Sequence, residues 1–168
     1  IMAWHSPWST DGVNSGVTES TDGGATWINH QPPPGSAWGA GNAAWFLTDS
    51  HTWLLGSQNG GIWRTTNSGA TWTKVRDDNI AHGGINALVR DASTRMLYLA
   101  SGTTVGISRD DGITWTDPSG LSHDYYETVV SDGTNLYTAP SFPTPSYQDG
   151  PWYVRPIAGG NWKPYGTQ

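Results

Sequence analysis

Short apolar runs separated by turn-forming residues recur along the chain, and no segment keeps apolar residues at helical spacing. Three runs align with one another as strands: TWLLGSQ at 52–58, RMLYLAS at 95–101 and NLYTAPS at 135–141. Each follows a turn that contains an aspartate, whose side chain can bond the amides of its own turn. The three aspartates are Asp49, Asp91 and Asp132. This alternation predicts an all-β chain with many short strands.

A second repeat, which we call the turn motif, has the pattern Ser/Thr-x-Asp/Asn-x-Gly-x-Thr-Trp. It occurs as STDGGATW at 20–27, TTNSGATW at 65–72 and SRDDGITW at 108–115, with its tryptophans 45 and 43 residues apart. A fourth, divergent copy at 155–162, RPIAGGNW, keeps the glycine and the tryptophan but has arginine and isoleucine at the serine and aspartate positions. The regular spacing indicates a repeat protein.

Each turn motif predicts a hairpin turn that is stabilised by its own side chains. The Asp or Asn oxygen accepts bonds from nearby amides, the glycine supplies a positive φ, and the hydroxyl holds the same turn. The tryptophan begins the outgoing strand and is large enough to anchor it in a core. We therefore assign structural roles to these twelve residues: Ser20, Asp22, Gly24, Trp27, Thr65, Asn67, Gly69, Trp72, Ser108, Asp110, Gly112 and Trp115.

One repeat unit contains four strands, A to D, with the turn motif between C and D. Four strands in about 40–50 residues are typical of a β-propeller blade. The blades cover approximately 1–32, 33–78, 79–118 and 119–168 of a single domain, 1–168.

The first blade is predicted to lack its inner strand A, because the N-terminal IMAWHSP aligns with strand B of the later blades. We therefore expect 15 strands. Two architectures fit this count: a closed four-bladed ring, or an arc of a larger propeller. We favour the arc, which self-association or further blades of a longer propeller would complete, because an open arc exposes sheet edges that need partners.

The turn motifs resemble Asp-boxes, the repeats of sialidases and other BNR-repeat glycoside hydrolases. Similar motifs occur in xyloglucan-specific glucanases with paired propellers, in sortilin-type receptors and in a photosystem II assembly factor. The resemblance implies a β-propeller but leaves function open, because the box is structural in all of these families. It does not fit a typical sialidase, which holds its substrate with three arginines, since only Arg76 is expected near the loop-rich face.

The amino-acid composition excludes some classes of partner. The net charge is −6 and only 13% of residues are charged, which argues against nucleic acid. No apolar run is long enough to span a membrane, so we expect no membrane insertion. The chain has no cysteine, and therefore neither disulfides nor thiolate metal sites. The carbohydrate-active resemblance implies a secreted or extracytoplasmic location.

Strand order predicts that the D–A and B–C loops lie on the face opposite the turn motifs. These loops gather aromatic and histidine side chains, and aromatic rings stack on the apolar faces of sugars while polar groups bond the hydroxyls. The ligand-binding candidates are Trp8, Trp38, His82, His123, Tyr125, Tyr126 and Tyr147. His82 and His123 align between blades and could hold zinc, but no close histidine spacing supports this, so we predict no metal and no cofactor.

Glycoside hydrolysis requires two carboxyl groups that face one bond. Glu127, near the start of an inner strand, is the best candidate for an acid, with Asp124 or Asp11 as its partner. The leading hypothesis is an extracellular carbohydrate-active module, a glycoside hydrolase-like propeller or part of one, that binds glycan or polysaccharide. The alternative is a non-catalytic scaffold that binds a protein or polymer, and whether the chain is an enzyme stays open.

Overall fold

The fold is that of a computed structural model, which describes residues 2–5, 16–34, 38, 43–57, 61–77, 85–102, 104–122, 126–140 and 151–166. These residues form four antiparallel sheets, so the predicted all-β class is confirmed. The chain divides into two compact units, residues 1–84 and 85–168. Whether the sheets close into a ring, and whether the chain is a single domain, stay predictions.

Unit 1 contains a three-stranded and a four-stranded sheet. The first sheet has the order β1-β2-β3 and the second β4-β5-β6-β7. The strands are β1 Met2–His5, β2 Gly16–Glu19, β3 Ile28–His30, β4 Ala43–Leu47, β5 Trp53–Ser57, β6 Gly61–Thr65 and β7 Thr73–Arg76. The first sheet begins at Met2, with the strand that the sequence aligns as strand B, and the described residues add no strand A to it.

Unit 2 also contains two sheets, with orders β10-β9-β8 and β11-β12-β13-β14. The strands are β8 Ile85–Arg90, β9 Leu97–Ser101, β10 Thr104–Ser108, β11 Val130–Ser131, β12 Asn135–Thr138, β13 Trp152–Pro156 and β14 Lys163–Tyr165. The expected strand D of the third sheet is reduced to one bridge between Ile107 and Thr116. Pro118 follows two residues later and has no amide to donate to a longer ladder.

The hydrogen bonds predicted for the turn motif are present in all three regular copies. The main-chain amide of the motif's Thr donates to the Asp or Asn Oδ1 at 2.9 Å, and the glycine amide donates to the Ser or Thr hydroxyl at 2.7–3.0 Å. The motif glycines Gly24, Gly69 and Gly112 have φ of 95°, 80° and 82°. Each motif is therefore a turn closed by contacts within four residues.

The tryptophans of the three regular turn motifs all close their own turns, but they differ in burial. Each indole Nε1 donates to the carbonyl of the motif glycine at 3.1–3.2 Å. Trp27 is nevertheless 47% exposed, so the prediction that it is a core residue is wrong. Trp72 and Trp115 are half-buried, and Trp72 packs against a buried cluster of unit 1. Whether a motif indole is buried therefore depends on which other residues of the same polypeptide pack over it.

The fourth motif builds its turn with the opposite hydrogen-bond polarity. Arg155 donates from Nε to the Gly160 carbonyl at 2.7 Å and from Nη1 to the Pro156 carbonyl at 3.1 Å. Trp162 is only 2% exposed and belongs to the core of unit 2. In this copy a buried arginine donates to carbonyls, whereas the serine or threonine at the same position of the other copies accepts from an amide.

Each unit has its own apolar core. The unit 1 cluster consists of Val17, Trp38, Trp53, Leu55 and Trp63. The unit 2 cluster consists of Tyr98, Ala100, Val105, Ile107, Tyr126, Val129, Leu136, Tyr153, Ile157 and Trp162. The part of the chain that the structure describes contains no helix long and apolar enough to cross a membrane.

Candidate functional site

A cleft of about 350 Å³ lies beside the second turn motif in unit 1. One wall is a proline-rich segment and the other is the end of the motif. The lining residues are Gln31, Pro32, Pro33, Pro34, Ala70, Thr71 and Trp72. The volume falls in the lower part of the range of roughly 300–1,000 Å³ that is usual for small-molecule sites.

His30, the last residue of β3, directs the proline segment to this position. Its Nε2 lies 3.0 Å from Glu19 Oε2, and its ring packs edge-on against Trp53 with centroids 5.4 Å apart. The ring also lies over Gly69, where a Cβ would come within 2.5 Å of His30 Nδ1. The glycine of the second motif is therefore needed for this close approach as well as for its positive φ.

Trp72 forms a rigid aromatic wall of the cleft. Its Nε1 is bonded to the Gly69 carbonyl at 3.1 Å, which fixes one edge of the indole. Trp38 packs against it edge-to-face at 5.0 Å, and Trp53 lies 6.3 Å away in a tilted arrangement. An aromatic ring held by three neighbours loses little conformational freedom when a ligand stacks on it.

The chemistry of the cleft favours an uncharged ligand. Its lining combines proline rings and an indole with the Gln31 amide and the Thr71 hydroxyl, and none of its seven lining residues is charged. Thr71 Oγ1 already accepts a hydrogen bond from Asn67 Nδ2 at 2.9 Å, so its own proton is available to donate. An apolar wall beside a few polar groups is the usual composition of a ligand site.

The position of the cleft corrects the prediction from strand order. Strand order predicts the loop at 28–42 on the face opposite the turn motifs, but residues 31–34, which are among its described residues, line a cleft together with residues 70–72 of the second motif. The proline triplet was a visible signal for a rigid loop wall. The contact of His30 with Gly69 was not visible in the sequence, because it joins segments that are distant along the chain.

Two predicted ligand-binding aromatics are buried inside the protein. Trp38 has no exposed surface and packs on Trp72, and Tyr126 has none and packs edge-to-face on Tyr153 at 6.0 Å. The structure corrects these two predictions, since neither ring is available for stacking on a ligand. Trp38 instead supports the cleft from behind.

The remaining site residues stay predictions. Glu127 is partly buried and directly follows Tyr126, whose main chain forms a bridge with Pro140. Its proposed carboxylate partners and the other ligand-binding candidates lie outside the described residues. These are Trp8, Asp11, His82, His123, Asp124, Tyr125 and Tyr147. Among the residues that the structure does describe, no group of three metal-ligating side chains comes together.

The aspartates of the turns are held in their ionised form. Hydrogen bonds from the side chain and main chain of Thr26, and from Ser20, hold the pKa of Asp22 well below its usual value. Burial raises the pKa of Asp110, but bonds from Thr114 and Ser108 outweigh this effect and the net shift is downward. A carboxyl group with a lowered pKa is a poor proton donor near neutral pH, which fits a structural role.

Several solved β-propeller structures are similar to this chain. No protein-family model and no curated protein matches it. A GH74 enzyme from Niastella koreensis matches with a TM-score of 0.67 at 22% identity, covering 94% of this chain and 26% of the enzyme. The GH74 xyloglucanase from Xanthomonas campestris matches with a TM-score of 0.62 at 21% identity, covering 90% and 26%. A structure of YCF48 bound to D1 peptide matches with a TM-score of 0.58 at 15% identity, covering 89% and 47%.

These similarities show the fold: the chain is an all-β protein of the propeller type. It spans about a quarter of the length of the two GH74 enzymes and about half of YCF48.

Proposed function

We propose that this chain is a carbohydrate-binding propeller module, glycoside hydrolase-like or part of a glycoside hydrolase, that holds an uncharged glycan in the cleft beside Trp72. The observation that carries the proposal is the uncharged cleft, which is lined by a fixed indole and by three prolines. The fold similarity to GH74 enzymes, one of them a xyloglucanase, supports the same class of ligand. We also propose that the turn motifs are Asp-boxes and that the module acts outside the cytoplasm.

The physical basis for a sugar ligand is the match between its two kinds of surface and the two kinds of lining group. The C–H groups on one face of a pyranose ring are weakly electropositive and lie well against the negative face of an aromatic ring. The hydroxyls at the edge of the same sugar need hydrogen-bond partners, which the Gln31 amide and the Thr71 hydroxyl supply. An acidic ligand would find no cation among the lining residues.

The cleft itself is proposed to bind and not to cleave. Glycosidic hydrolysis uses a pair of carboxyl groups about 5–10 Å apart, and none of the seven lining residues is a carboxylate. If the module is catalytic, the reaction takes place elsewhere on it, and Glu127 with Asp124 or Asp11 remains the proposed pair.

The test is titration calorimetry with xyloglucan oligosaccharides and cello-oligosaccharides. Trp72→Ala is expected to weaken binding at least tenfold, about 1.4 kcal/mol, because it removes the stacking wall. Trp27→Ala is the matched control, since Trp27 makes the same indole bond to its own motif glycine but lines no part of this cleft. Gln31→Ala removes a polar contact with little effect on folding and should weaken binding several-fold.

Equal affinities of the wild-type protein and Trp72→Ala for the oligosaccharides would show that the cleft is not the glycan-binding site. The thermal unfolding of each variant must be measured alongside, because Trp72 also touches the unit 1 core. Trp72→Phe keeps a stacking ring without the N–H donor and is expected to retain most of the affinity.

The second candidate function is a scaffold that binds a peptide in the same cleft. It is favoured by the similarity to YCF48, a protein solved with a bound peptide. Grooves with aromatic walls also bind extended peptides. A module that ignores all oligosaccharides but binds peptides in a Trp72-dependent manner would favour this function.

A further inference from the structure

Three hydrogen-bond donors lie where the third and fourth sheets of unit 2 pack on each other. Tyr98 belongs to β9 and Arg155 to β13, and they are only 1% and 6% exposed. Tyr153 and Arg155 alternate along β13 and share a face, and Tyr153 packs in the same core cluster as Tyr98. Arg109 directly follows β10 and is exposed. We call Tyr98, Arg109 and Arg155 the donor cluster.

Two members of the donor cluster are directed at a sulfur atom. Arg109 Nη1 donates to Met96 Sδ at 3.2 Å, and the Tyr98 hydroxyl donates to the same sulfur at 3.6 Å. A thioether sulfur is a weak acceptor, whereas a guanidinium and a phenol are strong donors. Two strong donors around one weak acceptor therefore leave much of their hydrogen-bonding capacity unused.

Arg155 carries a buried positive charge whose hydrogen bonds go to neutral groups. Its Nε and Nη1 donate to the carbonyls of Gly160 and Pro156. Nη2 makes no hydrogen bond with a described residue and is not among the enclosed polar atoms that lack a partner there, so it keeps contact with solvent. Neither Arg155 nor Arg109 has an ion-pair partner among the described residues. A buried charge without such a partner is costly.

The two guanidinium groups are close enough to repel each other. Burial lowers the pKa of Arg155, and the positive charge of Arg109 lowers it further. Burial raises the pKa of Tyr98, whereas the charges of both arginines act in the opposite direction at its hydroxyl. Asp91 also lies near Tyr98, but its oxygens already accept bonds from its own turn and from Ser131. An anion bound between the two guanidinium groups would relieve their repulsion.

We propose that Tyr98, Arg109 and Arg155 bind a small oxyanion, the carboxylate or sulfate group of an acidic ligand. The anion accepts hydrogen bonds from both guanidinium groups and from the phenol, and it replaces the Met96 sulfur as their acceptor. Such bonds are charge-assisted and roughly twice as strong as bonds between neutral groups. Two arginines suit one anionic group and not the row of phosphates of a nucleic acid.

This site is separate from the cleft beside Trp72, whose lining residues are uncharged. It lies within unit 2 and takes a ligand of opposite character, so it does not rest on the proposed function. Binding of oligosaccharides in the cleft is expected to be the same with and without the anion.

The experiment is an NMR titration of the isotope-labelled whole chain with sodium sulfate and, in parallel, with sodium glucuronate. Sodium chloride keeps the ionic strength constant. The Arg155 Nε–H resonance is the probe, because its bond to the Gly160 carbonyl slows exchange of this proton with water. We expect a shift that saturates in the millimolar range with at least one of the two anions. The tighter anion identifies the ligand group as sulfate or carboxylate, and the absence of a saturating shift with both would overturn the proposal.

Two variants test the other members of the donor cluster. Arg109→Gln is expected to weaken binding at least tenfold, about 1.4 kcal/mol, and Tyr98→Phe several-fold. Both should fold, because Arg109 is exposed and Tyr98→Phe keeps the buried ring. Lys163→Gln is the matched control: it removes the same charge from an exposed position, and since Lys163 pairs with Val154 it lies on the face of the fourth sheet opposite Arg155.

The control variant should bind as the wild-type protein does. Equal affinities of Arg109→Gln and the wild-type protein would refute the site, and so would an equal loss of affinity in Arg109→Gln and Lys163→Gln, which would indicate a general effect of net charge. Sulfate also stabilises folded proteins by exclusion from their surface. A rise in thermal midpoint that the wild-type protein and Arg109→Gln share to the same extent would therefore count against the site as well.

Discussion

Asp110, in the third turn motif, provides a direct test of how the repeat stabilises the fold. Its Oδ1 accepts the Thr114 amide at 2.9 Å and the Ser108 hydroxyl at 2.9 Å, and its Oδ2 accepts the Thr114 hydroxyl at 2.6 Å. Asp110→Ala removes all three bonds at once. Each is worth about 0.5–1.5 kcal/mol in net terms, but the turn is partly open to water, which rehydrates the freed donors. We therefore expect a loss of about 1–2 kcal/mol, as for a lost side-chain cap.

Asp110→Asn is the matched control, because the second motif already contains asparagine at this position. Asn67 Oδ1 accepts both the Thr71 amide and the Thr65 hydroxyl, and its Nδ2 donates to Thr71 Oγ1, all at 2.9 Å. The amide thus reproduces the three contacts by reversing one of them. Asp110→Asn should cost less than about 0.5 kcal/mol.

The assay is urea unfolding followed by tryptophan fluorescence, together with the thermal midpoint. For a chain of this length, 1 kcal/mol corresponds to about 2–4 °C, so the expected loss of about 1–2 kcal/mol should lower the unfolding midpoint of Asp110→Ala by about 2–8 °C. Equal losses for the alanine and asparagine variants would refute the reasoning, because they would show that the charge and not the hydrogen bonds stabilises the turn. Weaker oligosaccharide binding by a folded Asp110→Ala variant would contradict the purely structural role.

The turns can also be tested through a glycine and through an aspartate. Gly69→Ala should lower the urea midpoint of unfolding more than Gly24→Ala does. Both glycines have a positive φ, but only a Cβ at position 69 would clash with the His30 ring, which contacts with Glu19 and Trp53 hold in place. Hydrogen bonds from the Asn135 and Thr134 amides lower the pKa of Asp132 to about 2. The contribution of Asp132 to the free energy of unfolding is therefore complete above the pKa of about 4 that this group has in the unfolded chain, and it is lost as the pH falls toward 2. Urea midpoints from pH 7 to pH 2 should therefore fall less steeply for Asp132→Asn than for the wild-type protein.

The sequence predicts the turns well because their partners are close along the chain. Asp49, Asp91 and Asp132 each accept two amides from the residues two and three positions later. A contact of this kind depends on residue type and spacing, which a single sequence displays. The order of strands within each sheet follows for the same reason, because hairpin neighbours pair with each other.

Burial of individual aromatic side chains could not be predicted in the same way. Trp27 and Trp162 occupy the same position in their motifs, yet one is 47% and the other 2% exposed. The packing of Trp38 behind Trp72 and of Tyr126 on Tyr153 likewise joins residues whose proximity no local pattern encodes. Residue type and position in the D–A loops predict Trp38 and Tyr126 as ligand-binding residues, whereas the fold buries both rings as support.

The fourth position of the turn motif shows how the repeat accommodates a strained backbone with different residues. Gly23, Ser68 and Asp111 all have positive φ, of 75°, 53° and 54°. Glycine adopts this conformation at no steric cost, but serine and aspartate do not. In both of those copies the side chain is bonded to another part of its own unit: Ser68 Oγ lies 2.8 Å from His51 Nδ1, and Asp111 accepts from Arg90 Nη2 at 2.9 Å. The position varies in sequence because strain can be avoided by a glycine or offset by a bonded side chain. The sequence pattern shows this fourth position only as variable, although the backbone has a positive φ there in all three copies.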